Sequence, residues 1–205
     1  MRTFLGALLL VGLALLLVGA VFHPMLAGDN ATQLRLIAST PYWRAIHLSM
    51  LTGSAFVMAG IWAREQLVET SAAPALVVLT IGLALNAYDI AVMASSAPHL
   101  AQAFISGDQS IPAIYEATHL VGVMTARFGN GVIALGAAML SWTEWPIPGR
   151  RLPALLAAAA AAGGLLGVVA FDETSRGILA AVTLLSAWSL TTAIEALRRP
   201  APSLH

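Results

Sequence analysis

Four histidines hold most of the chemical potential of this 205-residue sequence: His23, His47, His99 and His119. Each stands at or near the end of an apolar run, and the order of the runs brings all four to one side. His47 and His119 each lie about one turn inside a run that descends from that side. Neutral imidazole offers a nitrogen lone pair, so two on neighbouring helices can clamp a b-type haem iron from both faces. Arg44 would then be available to a propionate. Such a haem would serve electron transfer with a quinol or a redox partner. The same four histidines, with Asp89 or Glu116 as oxygen ligands, could instead hold zinc or copper. No HxxxH or HExxH spacing occurs, which removes the usual metal-hydrolase pattern. The remaining reading is structural, with interfacial histidines hydrogen-bonded to loops and needing no ligand. His205 ends the sequence and belongs to a tail rather than to this group.

A second polar set lies inside the apolar runs. Glu116, His119, Arg127 and Asn130 fall within about an 80° arc of one helix, and Asn86 and Asp89 lie about 60° apart on the preceding one. Asp89 and Arg127 sit at comparable depth, roughly 10 Å from the helix ends at 1.5 Å per residue. A lone charge in a bilayer is costly, so the two are expected to form an ion pair inside the bundle. A region lined by Asp89, Glu116, His119 and Arg127 also suits a cofactor-free, proton-linked or small-solute transporter. Without any ligand, the chain reads as a structural or accessory subunit of a membrane complex.

Elements of one kind must position these residues. The chain is 59% hydrophobic and 10% charged, against roughly 25% charged in soluble domains. Six stretches meet the length of about 20 apolar residues that a spanning helix needs, over 4–22, 43–63, 75–97, 113–142, 154–171 and 177–197. The predicted fold is therefore all-α: one domain over 1–205, a six-helix membrane bundle of three hairpins in a lipid bilayer. Pro74, Pro112 and Pro153 mark helix starts, where the missing N–H has no intrahelical partner to lose. The loops near 24–40 and 98–111 are the longest. Net charge is zero, which argues against nucleic-acid binding. The absence of Cys excludes disulfides, thiolate metal sites and thioether-attached haem. No nucleotide-binding loop, nucleophile elbow or protease motif is present.

Arg2, Arg64, Arg150, Arg151, Arg198 and Arg199 fall at one end of the spans, and Arg35, Arg44 and Arg176 at the other. The positive-inside rule then places both termini in the cytoplasm and the protein in the plasma (inner) membrane. Trp62, Trp142 and Trp145 would border the inner interface, and Tyr42 and Trp43 the outer one. The first run is also readable as a signal peptide cleaved after Val18-Gly19-Ala20. Its length and its place in an internal repeat favour a retained helix. That repeat joins His23 through Gly28-Asp29 to Pro41-Tyr42 and Ala45-Ile46-His47-Leu48. Its second copy joins His99 through Gly107-Asp108 to Pro112, Tyr115 and Ala117-Thr118-His119-Leu120. Both read His, Gly-Asp, Pro, Tyr, Ala-x-His-Leu, which suggests two related hairpins. The third hairpin turns at Phe171 to Arg176 without a histidine. Its alanine run with Gly163, Gly164 and Gly167 is a small-residue packing surface. In helix count and in the placement of His47 and His119, the chain resembles membrane cytochromes of six helices with histidine pairs on alternating helices. That likeness covers those two features, and the inner pair of such proteins has no counterpart here.

Overall fold

A segment in lipid must satisfy its backbone N–H and C=O groups internally, and for a single run the helix does this. The computed structural model describes residues 1–169 and 176–198, and the regular structure among them is entirely helical. In chain order the helices are α1 (Arg2–Phe22), α2 (Asn30–Ser39), α3 (Trp43–Gly60), α4 (Ala73–Ile105), α5 (Ile111–Glu144), α6 (Arg151–Val169) and α7 (Arg176–Arg198). A 3-10 turn, Ile61–Gln66, continues α3. All but α2 are long and apolar enough to cross a bilayer. The chain is a multi-pass membrane protein. Residues 170–175, where the third hairpin is expected to turn, and residues 199–205 lie outside the described residues, as do the side chains of 176–179.

The six spans pack in chain order, each on the next, and α7 returns to α1, so they close a ring. Glycine sets the closest approaches. A Cβ on Gly12 of α1 would stand 2.8 Å from the Gly53 carbonyl oxygen of α3, and the converse distance is the same. Gly82 of α4 and Gly129 of α5 repeat this mutual 2.8 Å approach. Any side chain at these points would drive the helices apart, and in lipid such backbone contact is a principal source of helix association. The small-residue surface of α6 is used within the fold, where Gly164 faces Ala134 of α5 and Ala181 of α7.

α1, α4 and α6 run from the end holding the termini toward a second end, here called the histidine end. Three expectations change at that second end. The stretch 24–40, expected as loop, contains α2. Asp29 caps it by accepting from the Thr32 amide at 2.8 Å, and Leu34 and Ile37 are buried at helical spacing. α4, expected to stop near residue 97, continues to Ile105 with Pro98 inside it. Ala97, Ala101 and Phe104 pack with Leu34 and Ile37, so burial against α2 carries the helix past the proline. The loop expected over 98–111 shrinks to 106–110. Pro74 and Pro112 do stand at helix starts. Trp142, Trp145 and Tyr42 are 84%, 54% and 55% exposed, as border aromatics are. Trp43, expected beside them, is instead 2% exposed and belongs to the core.

Candidate functional site

His23 follows the last residue of α1, and His47 lies one turn into α3. The antiparallel α1–α3 contact brings their Nε2 atoms to 3.2 Å. The Nδ1 of His47 lies 2.8 Å from the Trp43 carbonyl oxygen. A carbonyl only accepts, so Nδ1 carries the hydrogen and neutral His47 presents its Nε2 lone pair to His23. Trp43 packs 4.5 Å from the His47 ring and 5.4 Å from that of His23, centre to centre. Its indole N–H is held by the Met93 carbonyl of α4 at 2.8 Å. Burial keeps the His23 imidazole below its ordinary pKa of 6.5, against the pull of a hydrogen bond to the Pro24 backbone.

A second group forms between α4 and α5. Tyr115 and His119, one turn apart, stack with ring centres 5.3 Å apart and planes 10° from parallel. The Tyr115 hydroxyl donates to Gln33 of α2 at 3.0 Å. Asp89 lies over Gly122, where an added Cβ would stand 3.3 Å from the carboxyl carbon. His119 and Tyr115 both lie within electrostatic reach of Asp89. Asp89 Oδ1 and His119 Nδ1 are buried, and neither has a hydrogen-bond partner. One turn deeper, the Asn86 amide donates to Asn130 Oδ1 at 3.3 Å.

The expected Asp89–Arg127 ion pair is not formed. No ion pair among the described residues contains Asp89. Register is the reason. The Gly82–Gly129 contact sets Gly122 opposite Asp89, and Arg127 is five residues further along α5, about 7.5 Å at 1.5 Å per residue.

The four histidines, which one of the alternatives would draw on for a single metal site, divide into three groups. His99 meets Arg44, at 3.5 Å between Nε2 and Nη2, so Arg44 is engaged there. Glu116 accepts from the Asn30 amide of α2 at 3.3 Å. Among the described residues, no three His, Asp or Glu side chains gather as a metal-holding group. His47 pairs with His23 and His119 with Tyr115, and no hydrogen bond or ring contact joins His47 to His119.

A cavity of about 80 Å³ lies on the ring axis, and every span contributes to its wall, through Leu16, Val57, Leu83, Asn130, Gly164 and Ser186 among others. Asn130, Ser186 and Ser189 are its polar residues. The Asn86–Asn130 bond thus links the Asp89 region to the cavity wall.

The termini end holds a network that the sequence reading missed. Arg64 and Arg150, expected among the charges at the inner ends of the spans, are 0% and 3% exposed. Glu144, also 0% exposed, accepts from Arg64 Nε at 3.4 Å, from Arg150 Nη2 at 2.6 Å and from the Trp188 indole at 3.4 Å. Arg150 also pairs with Glu195 of α7, and Arg64 with Glu65 and the Thr70 carbonyl. The available signal was the run of Glu65, Glu69, Glu144 and Glu195 at the same helix ends as the arginines. No protein-family model, characterised protein or solved structure matches this chain.

Proposed function

We propose that this protein is a proton-linked transporter of a small neutral solute, working through the centre of its six-span ring. The observation that supports this reading is the axial cavity of about 80 Å³, to which all six spans contribute. Its apolar wall with one amide and two hydroxyls suits a small molecule with one or two hydrogen-bonding groups. Asp89 and His119 are the proton site in this reading, since ionisable groups inside spans are costly and mark proton relays. Their two unpartnered buried atoms are the ones that would exchange the proton. The ion-pair network closes the termini end, and α2 packs across α4 and α5 at the other. The histidine end faces outward from the plasma membrane, with both termini in the cytoplasm. A haem clamped by His47 and His119 would need both Nε2 atoms turned to one iron, whereas His47 Nε2 is turned to His23.

Liposomes containing the purified protein test the proposal under an inward acid gradient. Urea, glycerol and short-chain alcohols are supplied in turn, while swelling and internal pH are followed together. Solute-dependent proton uptake, lost in Asp89→Asn, is expected. Rates equal to those of empty liposomes for every solute would retire the reading.

A further inference from the structure

We propose that His23 and His47 form a copper(I) site on the α1–α3 seam, separate from the axial cavity. The spacing of the two ε nitrogens is the first ground. Two nitrogen ligands at about 2.0–2.1 Å from one metal in near-tetrahedral geometry stand about 3.3 Å apart, and the two Nε2 atoms are 3.2 Å apart. An ion seated between them would require little movement of either ring.

The arrangement behind the rings is the second ground. A metal-ligating histidine characteristically gives its other N–H to a carbonyl, which fixes the ring and raises its basicity. His47 does this with the Trp43 carbonyl at 2.8 Å. With His47 donating away from the gap, its Nε2 lone pair faces His23 Nε2 across it. A hydrogen on His23 Nε2 bridges the two nitrogens when no ion is present, and the ion takes its place as that hydrogen moves to His23 Nδ1. Trp43, at the start of α3, packs on both rings and is itself anchored to α4 through its bond to the Met93 carbonyl.

Charge and softness select the ion. Both ligands are neutral, and among the described residues no three His, Asp or Glu side chains gather to balance a divalent charge. Desolvation cost rises with the square of the charge, so a monovalent ion fits a buried pair of neutral ligands. One turn deeper on the same seam is Met50, three residues after His47, whose sulfur lies 3.1 Å from where a Cβ on Gly19 would be. Gly19 leaves that sulfur its room, and a thioether on a flexible chain is a soft ligand suited to copper(I). Met50 is the third ligand in this proposal.

The full-length protein in detergent, titrated anaerobically with copper(I) against bicinchoninate, provides the test. One equivalent is expected, with His23→Ala and His47→Ala each weakening binding by about 100-fold or more, beyond what losing a group that only orients a ligand usually costs. Met50→Leu should weaken binding less, and His99→Ala should leave it unchanged. Copper should quench Trp43 fluorescence, which lies beside the pair, and the quenching should be absent in Trp43→Phe. If His47→Ala fails to fold, the partly exposed His23 still decides the matter. Unchanged binding in His23→Ala, binding well below one equivalent, or tighter binding of zinc(II) than of copper(I) would each overturn the proposal.

Discussion

Arg64 and Glu144 face each other with no exposed surface on either side chain, their Nε and Oε1 atoms 3.4 Å apart. Arg150 approaches the same carboxylate oxygen at 2.6 Å, so one glutamate holds two guanidinium groups, one from the 3-10 turn after α3 and one from the residue before α6. Removing one member of a buried set strands the others, which costs about 3–5 kcal/mol. Glu144→Gln should therefore lower the unfolding free energy in detergent by about that amount. Combining it with Arg64→Met should recover part of the loss, and strict additivity of the two changes would show that they are uncoupled.

Gly122 sits under Asp89 because nothing larger fits. A Cβ there would crowd the carboxylate, with the carboxyl carbon 3.3 Å away. Overpacking of this kind costs about 1–3 kcal/mol. Gly122→Ala should destabilise the protein by that order, and Asp89→Ala in the same chain should relieve the cost. Thermal unfolding of the two single variants and the double variant measures the coupling directly.

Filling the axial cavity should separate stability from transport. Ser186→Leu places an apolar branch into a space of about 80 Å³, and cavity filling commonly adds about 0.5–2 kcal/mol. The expected variant is at least as stable as the parent and impermeable in the liposome assay. Full solute permeation in a stable Ser186→Leu protein would place the path elsewhere.

Acid should loosen α2 before it affects the ring. The Thr32 hydroxyl, then the Thr32 amide, hold Asp29 below the ordinary carboxylate value of 3.8. A depressed folded pKa means that the cap's contribution is complete above the ordinary value. It is lost as pH falls through the lower, folded one. The Thr32 amide resonance should therefore stay constant from neutral pH to about pH 5 and shift only below about pH 4. Asp29→Ala should produce the uncapped state at neutral pH, seen as faster hydrogen exchange in α2.

What could be read directly from the residues was whatever depends on the solvent. Runs such as Phe4 to Phe22 leave lipid as the only medium that suits them, and a lipid-bound backbone must become helix. The six spans, their prolines at Pro74 and Pro112, and the packing role of Gly164 followed from local composition. α2 was signalled by Gly28-Asp29 ahead of Leu34 and Ile37, but a ten-residue helix needs a surface to dock on before its pattern has meaning.

Partnership between helices was decided elsewhere. Depth arithmetic along α4 and α5 could set Asp89 and Arg127 at similar heights, yet the interhelical register comes from the Gly82–Gly129 contact, which sets Asp89 over Gly122. Likewise, the histidines were correctly gathered to one end, while their division into His23–His47, Arg44–His99 and Tyr115–His119 depended on helix rotation. Arg64 and Arg150 show the same limit, because a charge beside a helix end reads as a loop residue until a buried Glu144 is found opposite it. The one-dimensional pattern determined which segments enter the bilayer, since transfer free energy is a sum over residues. Only the tertiary structure decided which polar groups meet, because that depends on ångström-scale register between segments distant in sequence.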